Sequence, residues 1–92
     1  MDFKSKLQNL LTAIISAITN SDMLEISIKK SDDTLVIEIL VPGDKVGVVL
    51  GRADQYGINP MKHAILRICK QAGFYAGFRE VLIKIGEING GG

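Results

Sequence analysis

The chain has 92 residues, of which 47% are hydrophobic and 23% are charged, and it carries a single cysteine, Cys69. This length and composition predict one small folded domain and exclude a disordered chain. One thiol excludes an internal disulfide framework and a cysteine-rich metal cluster, and we therefore expect a cytoplasmic protein. No apolar run approaches the roughly 20 residues of a membrane span, and the mixed-charge start is unlike a signal peptide.

The formal net charge of +1 conceals an asymmetry along the chain. Residues 1–44 carry four lysines against seven carboxylates, whereas residues 45–84 carry seven lysines and arginines against two carboxylates. A basic segment of this kind favours an anionic partner.

The first predicted element is an amphipathic helix that begins at Asp2, whose carboxylate can cap it, and ends before Asn20. Apolar residues recur in it at helical spacing, and the predicted inner stripe consists of Phe3, Leu7, Leu10, Leu11, Ile14 and Ile18. Lys4, Gln8, Asn9 and Thr12 occupy the opposite side, so we expect this helix to pack one face on a core.

Two strands follow, because apolar and polar residues alternate over residues 24–29 and again over residues 35–40. The polar cluster of residues 30–33 is expected to form the turn between them, and Pro42-Gly43 should end the second strand. In that strand Leu35, Ile37 and Ile39 are predicted to share the inner face.

The second half predicts a short helix from Lys45 to about Leu50, a loop over residues 51–58 and a longer helix from Pro60 to about Ala72. Asn59 is the expected N-cap of the longer helix, with proline at its first position. Its predicted inner stripe is Met61, Ala64, Ile65, Ile68, Cys69 and Ala72, and the outer residues are Lys62, His63, Arg67 and Lys70. A third alternating strand is expected over residues 79–85.

The element order is therefore α-β-β-α-α-β, which predicts an α+β two-layer sandwich with a three-stranded sheet and three helices on one face. Residues 1–88 form one domain in this interpretation, and residues 89–92 form a flexible glycine-rich tail. Val36, Leu40 and Leu82 are expected on the outer face of the sheet, where a homodimer contact or another protein partner would cover them. A contact through the third helix is the other predicted route to a homodimer.

Three glycines, Gly47, Gly51 and Gly57, punctuate the segment between the two later helices. Gly47 interrupts an apolar helical run, where glycine costs helix stability and so suggests that something approaches the backbone. The loop then leads into the N-terminus of a helix, where backbone N–H groups point outward. This combination suits the binding of an anionic backbone.

The element order, with VGVVLGR preceding MKHAILRICKQA, resembles the KH domain in its type II arrangement, and most of all the small stand-alone bacterial KH proteins. The resemblance covers roughly Leu7 to Ile85. In that family a G-x-x-G loop between two helices clamps about four nucleotides of single-stranded RNA. The resemblance implies an RNA site at Gly47, Val48, Gly51, Arg52, Ala53, Asp54, Tyr56, Gly57, Lys62 and His63.

The loop departs from the family pattern in two respects. Asp54 stands where the second glycine of the motif would follow Gly51, and the loop is about five residues longer than usual. Either Gly57 supplies the second glycine of a stretched loop, or the clamp is degenerate and the domain is a protein-interaction or assembly module that does not bind RNA. An aspartate facing phosphate would be repulsive.

Val48, Val49 and Ile37 are candidates for an apolar floor beneath the bases, and Tyr56 is the candidate stacking residue. Phe74, Tyr75 and Phe78 are instead predicted to pack in the core or the turn. No nucleophile, base and orienting group can be assembled, so we expect no enzyme, cofactor, metal or small-molecule substrate. His63 is the only histidine, and Cys69 falls on an inner stripe as a small core residue.

Overall fold

The computed structural model describes residues 2–88. The elements in chain order are α1 (Phe3–Thr19), β1 (Glu25–Ser31), β2 (Thr34–Val41), α2 (Gly43–Leu50), α3 (Pro60–Tyr75) and β3 (Glu80–Glu87). The predicted order and the α+β two-layer class are confirmed. The glycine-rich tail predicted at residues 89–92 lies outside the described residues. No helix within residues 2–88 is long and apolar enough to cross a membrane.

The sheet has the order β1-β2-β3 and is mixed. β1 and β2 are antiparallel, with Ile28 opposite Ile37, whereas β2 and β3 are parallel, with Ile37 opposite Ile83. The parallel pair requires a long crossover, which α2 and α3 supply. Alternate residues of β2 are fully buried, as the alternation predicted: Leu35, Ile37, Ile39 and Val41.

Asp2 caps α1 as predicted, because its Oδ1 accepts a hydrogen bond from the N–H of Ser5 at 2.8 Å. The buried face of α1 is rotated about the helix axis relative to the predicted inner stripe. Leu10 is 47% exposed, and Ile15, which the stripe omitted, is fully buried. The buried residues follow a strict four-residue spacing, namely Leu7, Leu11, Ile15 and Thr19.

The turn between β1 and β2 consists of Asp32 and Asp33, since Ser31 pairs with Thr34. Asp32 adopts a positive φ of 53°, a conformation that aspartate tolerates better than most residues. The carbonyl of Asp33 accepts a hydrogen bond from the N–H of Arg79 at 2.8 Å, and its carboxylate lies 3.8 Å from the Arg79 Nε. The turn therefore holds the start of β3 in place.

The sequence predicted that α3 ends at Ala72-Gly73, but the helix continues to Tyr75. Gly73 lies buried inside the helix, because the side chains of Val81 and Leu35 pack directly against it. Glycine here allows close contact between α3 and the sheet. On the predicted inner stripe, Ala64 is exposed and Ile68 is 36% exposed.

The extension of α3 also overturns, for Phe74 and Tyr75, the prediction that the aromatics at this end pack in the core or the turn. Phe74 is 53% exposed and Tyr75 is 84% exposed, whereas Phe78 is half-buried and lies 6.2 Å from the Phe3 ring. Phe74 follows Lys70 by four residues and so lies on the outer face of the helix. That spacing is the signal that could have predicted its exposure.

α2 begins at Gly43, two residues earlier than predicted, because the N–H of Lys45 donates to the carbonyl of Pro42 at 2.8 Å. The carboxylate of Glu87, at the end of β3, occupies the space that a side chain at residue 43 would need. A carboxylate beside a helix N-terminus is favourable for the helix dipole. Glycine at this position thus lets β3 contribute a charge to the start of α2.

The outer face of the sheet carries the apolar residues predicted there. Leu82 is 48% exposed, and its register partner Val36 is half-buried. The next pair on this outer face is ionic, with Lys84 Nζ 3.7 Å from Glu38 Oε2. This face is therefore mixed in character.

Candidate functional site

All ten residues predicted for the site lie at the end of α2, in the following loop or in the first turn of α3. Nine of them are exposed, and Gly51 is half-buried. The loop spans residues 51–59, close to the predicted range. The fold thus gathers these residues on one accessible part of the helical layer.

Gly51 is the residue that joins the two helices of the site. Its φ is +78°, and its N–H donates to the carbonyl of Gly47 at 2.9 Å, which ends α2. A Cβ added at Gly51 would lie 2.9 Å from the Cβ of Met61. Arg52 and Lys62 directly follow these two residues in the chain, so the contact places the backbones of two cationic residues near one another.

Gly47 is exposed, and a Cβ added there would meet no atom within 4 Å. Its φ is not in the positive region where glycine is favoured. Neither packing nor backbone conformation therefore requires glycine at this helical position, where it costs about 0.5–1 kcal/mol relative to alanine. Glycine at residue 47 leaves the helix backbone open to an approaching group.

Asp54 organises the loop through its backbone and its side chain. Its Oδ1 accepts hydrogen bonds from the N–H groups of Tyr56 at 2.8 Å and Ile58 at 3.0 Å. Its own N–H donates to the carbonyl of Ile58 at 2.7 Å, and its carbonyl accepts from the N–H of Gly57 at 3.0 Å. The carboxylate oxygen that the sequence predicted to face phosphate is thus engaged inside the loop.

The extra length of the loop is accounted for by this hydrogen-bonded segment, residues 54–58. Gly57 has a φ of +78°, and a Cβ there would meet nothing within 4 Å, so its glycine serves the turn conformation. Arg52 and Ala53 connect the segment to α2, and within residues 2–88 their N–H groups donate no hydrogen bond. They remain available to an external acceptor.

Asn59 occupies the N-cap position of α3, as predicted, although its side chain makes no capping hydrogen bond. Pro60 stands at the first helical position as expected. The next two N–H groups, those of Met61 and Lys62, have no acceptor within the helix, because helices leave their first N–H groups unpaired. The start of α3 therefore presents donors to an anion.

The cations of the site are not neutralised by neighbouring carboxylates. Ion pairs among the described residues join Arg79 to Asp33 and Lys84 to Glu38, and none involves Arg52 or Lys62. The first turn of α3 contains no acidic residue. Arg52 and Lys62, which flank the Gly51–Met61 contact, therefore make no ion pair with a carboxylate of the described residues.

The predicted apolar floor requires correction. Val49 and Ile37 have no exposed surface, because both belong to the core beneath α2, and neither can contact a base. Val48 is 43% exposed, and Ile58, which sequence reasoning missed, is 45% exposed. Tyr56 is 78% exposed and remains the aromatic candidate in the loop.

Cys69 is fully buried in the core, as predicted. Burial raises the pKa of its thiol to about 11, so the thiol stays protonated and unreactive at neutral pH. The described part of the chain contains no cluster of three or more histidine, cysteine or acidic side chains that could hold a metal ion.

Comparison with known proteins adds no assignment: no family model, curated protein or solved structure matches this chain. Function is therefore inferred from the geometry of residues 47–63.

Proposed function

We propose that the protein binds single-stranded RNA in the manner of a KH domain, through the end of α2, the following loop and the first turn of α3. The observation that carries this proposal is the contact between Gly51 and Met61. It brings the backbones of the exposed residues Arg52 and Lys62 close together, beside a helix start whose first N–H groups have no partner within the helix. An RNA phosphate is the ligand whose charge and acceptors suit this arrangement.

In this interpretation the phosphate backbone passes close to Gly47, where no side chain intervenes. Val48 and Ile58 offer exposed apolar surface to the bases, and Tyr56 offers a ring for stacking. Nothing in this set reads a base by a fixed pair of donors and acceptors, so we expect weak sequence preference.

The role of Asp54 separates this proposal from the degenerate-clamp alternative. A carboxylate that accepts two loop N–H groups has part of its charge compensated locally, which weakens its repulsion of phosphate. The aspartate then replaces the second glycine of the KH motif by ordering a longer loop. The clamp is formed by the start of that loop and by α3.

Two phosphate contacts, at Arg52 and Lys62, set the expected salt dependence. For single strands the slope of log K against log salt is about −0.7 per contact, so we expect a slope of about −1.4. Affinity should be weak at moderate salt, because one small module neutralises few charges.

Amide chemical-shift mapping with a short oligouridine tests the location of the site. We expect the shifts to concentrate in residues 47–63 and to leave β1 unaffected. Saturating shifts confined to another surface, or none with RNA in large excess, would overturn the proposal. We also propose, from the single cysteine, that the protein is cytoplasmic.

A protein-interaction or assembly module is the second candidate function, and the outer face of the sheet is the observation that favours it. Leu82 is 48% exposed and lies on the same face of the sheet as the ion pair of Lys84 and Glu38. A second copy of the chain could cover this apolar side chain and pair with the two charges. Light scattering of the wild type and Leu82→Lys tests this candidate. A wild-type dimer that the substitution dissociates would support a homodimer across this face, and a wild-type monomer would exclude it.

A further inference from the structure

The outer surface of α3 carries a row of exposed side chains that leads away from the proposed clamp. His63, Arg67, Lys70 and Phe74 are all exposed. At 100° per residue these four positions fall within a sector of about 60°. They span about 16 Å along the helix axis, from the first turn of α3 to its last.

This row is unfavourable for the helix that carries it. α3 contains no aspartate or glutamate, and its cations lie at the N-terminal end and the middle, with none in the last turn. Arg67 and Lys70, three residues apart, repel each other, and neither is paired with a carboxylate in the part of the chain that the structure describes. An external anion beside Arg67 and Lys70 would offset this repulsion.

α1 reinforces the positive character of the helical layer. It too contains no acidic residue between Phe3 and Thr19, but it carries Lys4 and Lys6. A second copy of this chain is therefore a poor occupant, because two such faces would bring like charges together. The carboxylates lie mainly in the strands and turns of the other layer.

The far end of the row has a different chemistry. Gln71, Phe74 and Tyr75 line an open pocket of about 350 Å³. Exposed aromatic rings provide stacking surfaces for nucleobases, and a glutamine amide both donates and accepts hydrogen bonds. A row of cations that ends in exposed aromatics fits a nucleic acid better than an acidic peptide, because it offers sites for both phosphates and bases.

We propose that α3 extends the nucleic-acid site: a longer single strand leaves the Gly51–Met61 contact, places phosphates along Arg67 and Lys70, and stacks a base at Phe74 and Tyr75. This inference rests on the proposed function and deepens it by naming the path and length of the ligand. Strands of about four nucleotides reach only the clamp, whereas a longer strand occupies the whole track.

The chain contains no tryptophan, so Phe74→Trp introduces a single fluorescent reporter at an exposed position. Stacking of a base on this indole should quench its fluorescence with the long oligouridine and leave it unchanged with the short one. Anisotropy of labelled RNA, recorded on the same samples, reports binding independently of the tryptophan.

Arg67→Ala/Lys70→Ala is the matched test of the cationic row, and Lys29→Ala/Lys30→Ala on β1 removes the same charge from another surface. We expect the α3 variant to bind the long strand with a salt slope smaller by about 1.4, and to bind the short strand like the wild type. Phe74→Ala should weaken binding of the long strand by about five-fold to one-hundred-fold, because each stacked base contributes on that scale.

The outcomes distinguish the two proposals. If the wild type binds neither strand, the proposed function itself fails. If the wild type binds the short and the long strand with the same affinity, the clamp stands and the α3 track is overturned. The same conclusion holds if the α3 and β1 double variants lose the same affinity for the long strand. Binding of the long strand without quenching at residue 74 would also overturn the track.

Discussion

Asp54 and Ile58 are paired in both directions: the N–H of Asp54 donates to the carbonyl of Ile58 at 2.7 Å, and the N–H of Ile58 donates to Asp54 Oδ1 at 3.0 Å. This pairing closes a compact segment inside the loop between α2 and α3. Asp54 stands where the resemblance to KH domains would place a glycine, and it belongs to this hydrogen-bonded loop segment. The cations that flank the Gly51–Met61 contact remain outside this segment.

Replacing Asp54 by alanine should loosen the loop without unfolding the domain, because the carboxylate hydrogen bonds are local and exposed. We expect amide protection at Tyr56 and Ile58 to fall about ten-fold, as one lost hydrogen bond allows. Asp54→Asn keeps an acceptor oxygen, retains the turn and removes the negative charge. It should preserve protection and bind RNA more tightly than the wild type. If these two amides were as well protected in the alanine variant as in the wild type, the Asp54 side chain would not order the loop.

Gly47→Ala should separate folding from binding. The added methyl group meets open space and improves helix propensity, so the free energy of unfolding should rise by about 0.5–1 kcal/mol. If the RNA backbone passes over residue 47, the same methyl group should weaken RNA affinity. Urea unfolding measures the change in stability, and the anisotropy of labelled RNA, recorded on the same preparation, measures the change in affinity. Greater stability with unchanged affinity would remove Gly47 from the interface.

The same substitution at Gly73 should have the opposite effect on stability. A methyl group there collides with the buried side chain of Val81, a β-branched residue with little freedom to move. Overpacking of this kind costs about 1–3 kcal/mol, which outweighs the gain in helix propensity. Gly73→Ala/Val81→Ala should be less destabilised than the sum of its single variants in urea unfolding. Strict additivity would show that the two sites do not touch.

The cap of α1 should give folding stability a dependence on acid pH. The hydrogen bond from the Ser5 N–H lowers the pKa of Asp2 from its ordinary 3.8. Because the folded-state pKa is the lower one, the stabilisation is fully present above pH 3.8 and is lost as pH falls through the folded-state value. Asp2→Asn still offers a capping oxygen but does not titrate. The difference in Tm between wild type and variant should therefore change at acid pH and stay constant at neutral pH.

The central strand, β2, was predicted well because its burial follows a strict alternation. β2 packs one face on the helices along its whole length, so the identity of every second residue reports its environment. Helix phase and helix ends were harder to predict. Leu10 and Ile15 are both apolar, and only the packing of α1 decides which is buried. Gly73 resembled a helix stop, but its role is to allow close packing on Val81, a contact remote in sequence.

The location of the candidate residues at a junction of two helices was predicted correctly, because glycines, a helix start and cations cluster in one short segment. The role of Asp54 could not be read from the sequence, since its hydrogen bonds depend on how the longer loop folds back to Ile58. Burial of Val49 and exposure of Phe74 depend on how α2 and α3 are rotated on the sheet. Neither rotation follows from composition alone.

Binding of an RNA phosphate by Arg52 and the start of α3 is the core of the proposed function. Its most direct test is an anisotropy titration of a short single-stranded RNA at low and moderate salt, with Arg52→Glu compared to Lys29→Glu on β1. Saturable binding that weakens with salt, persists in Lys29→Glu and is lost in Arg52→Glu is the predicted result. Equal binding by both variants, or no binding by the wild type at tens of micromolar protein, would contradict it.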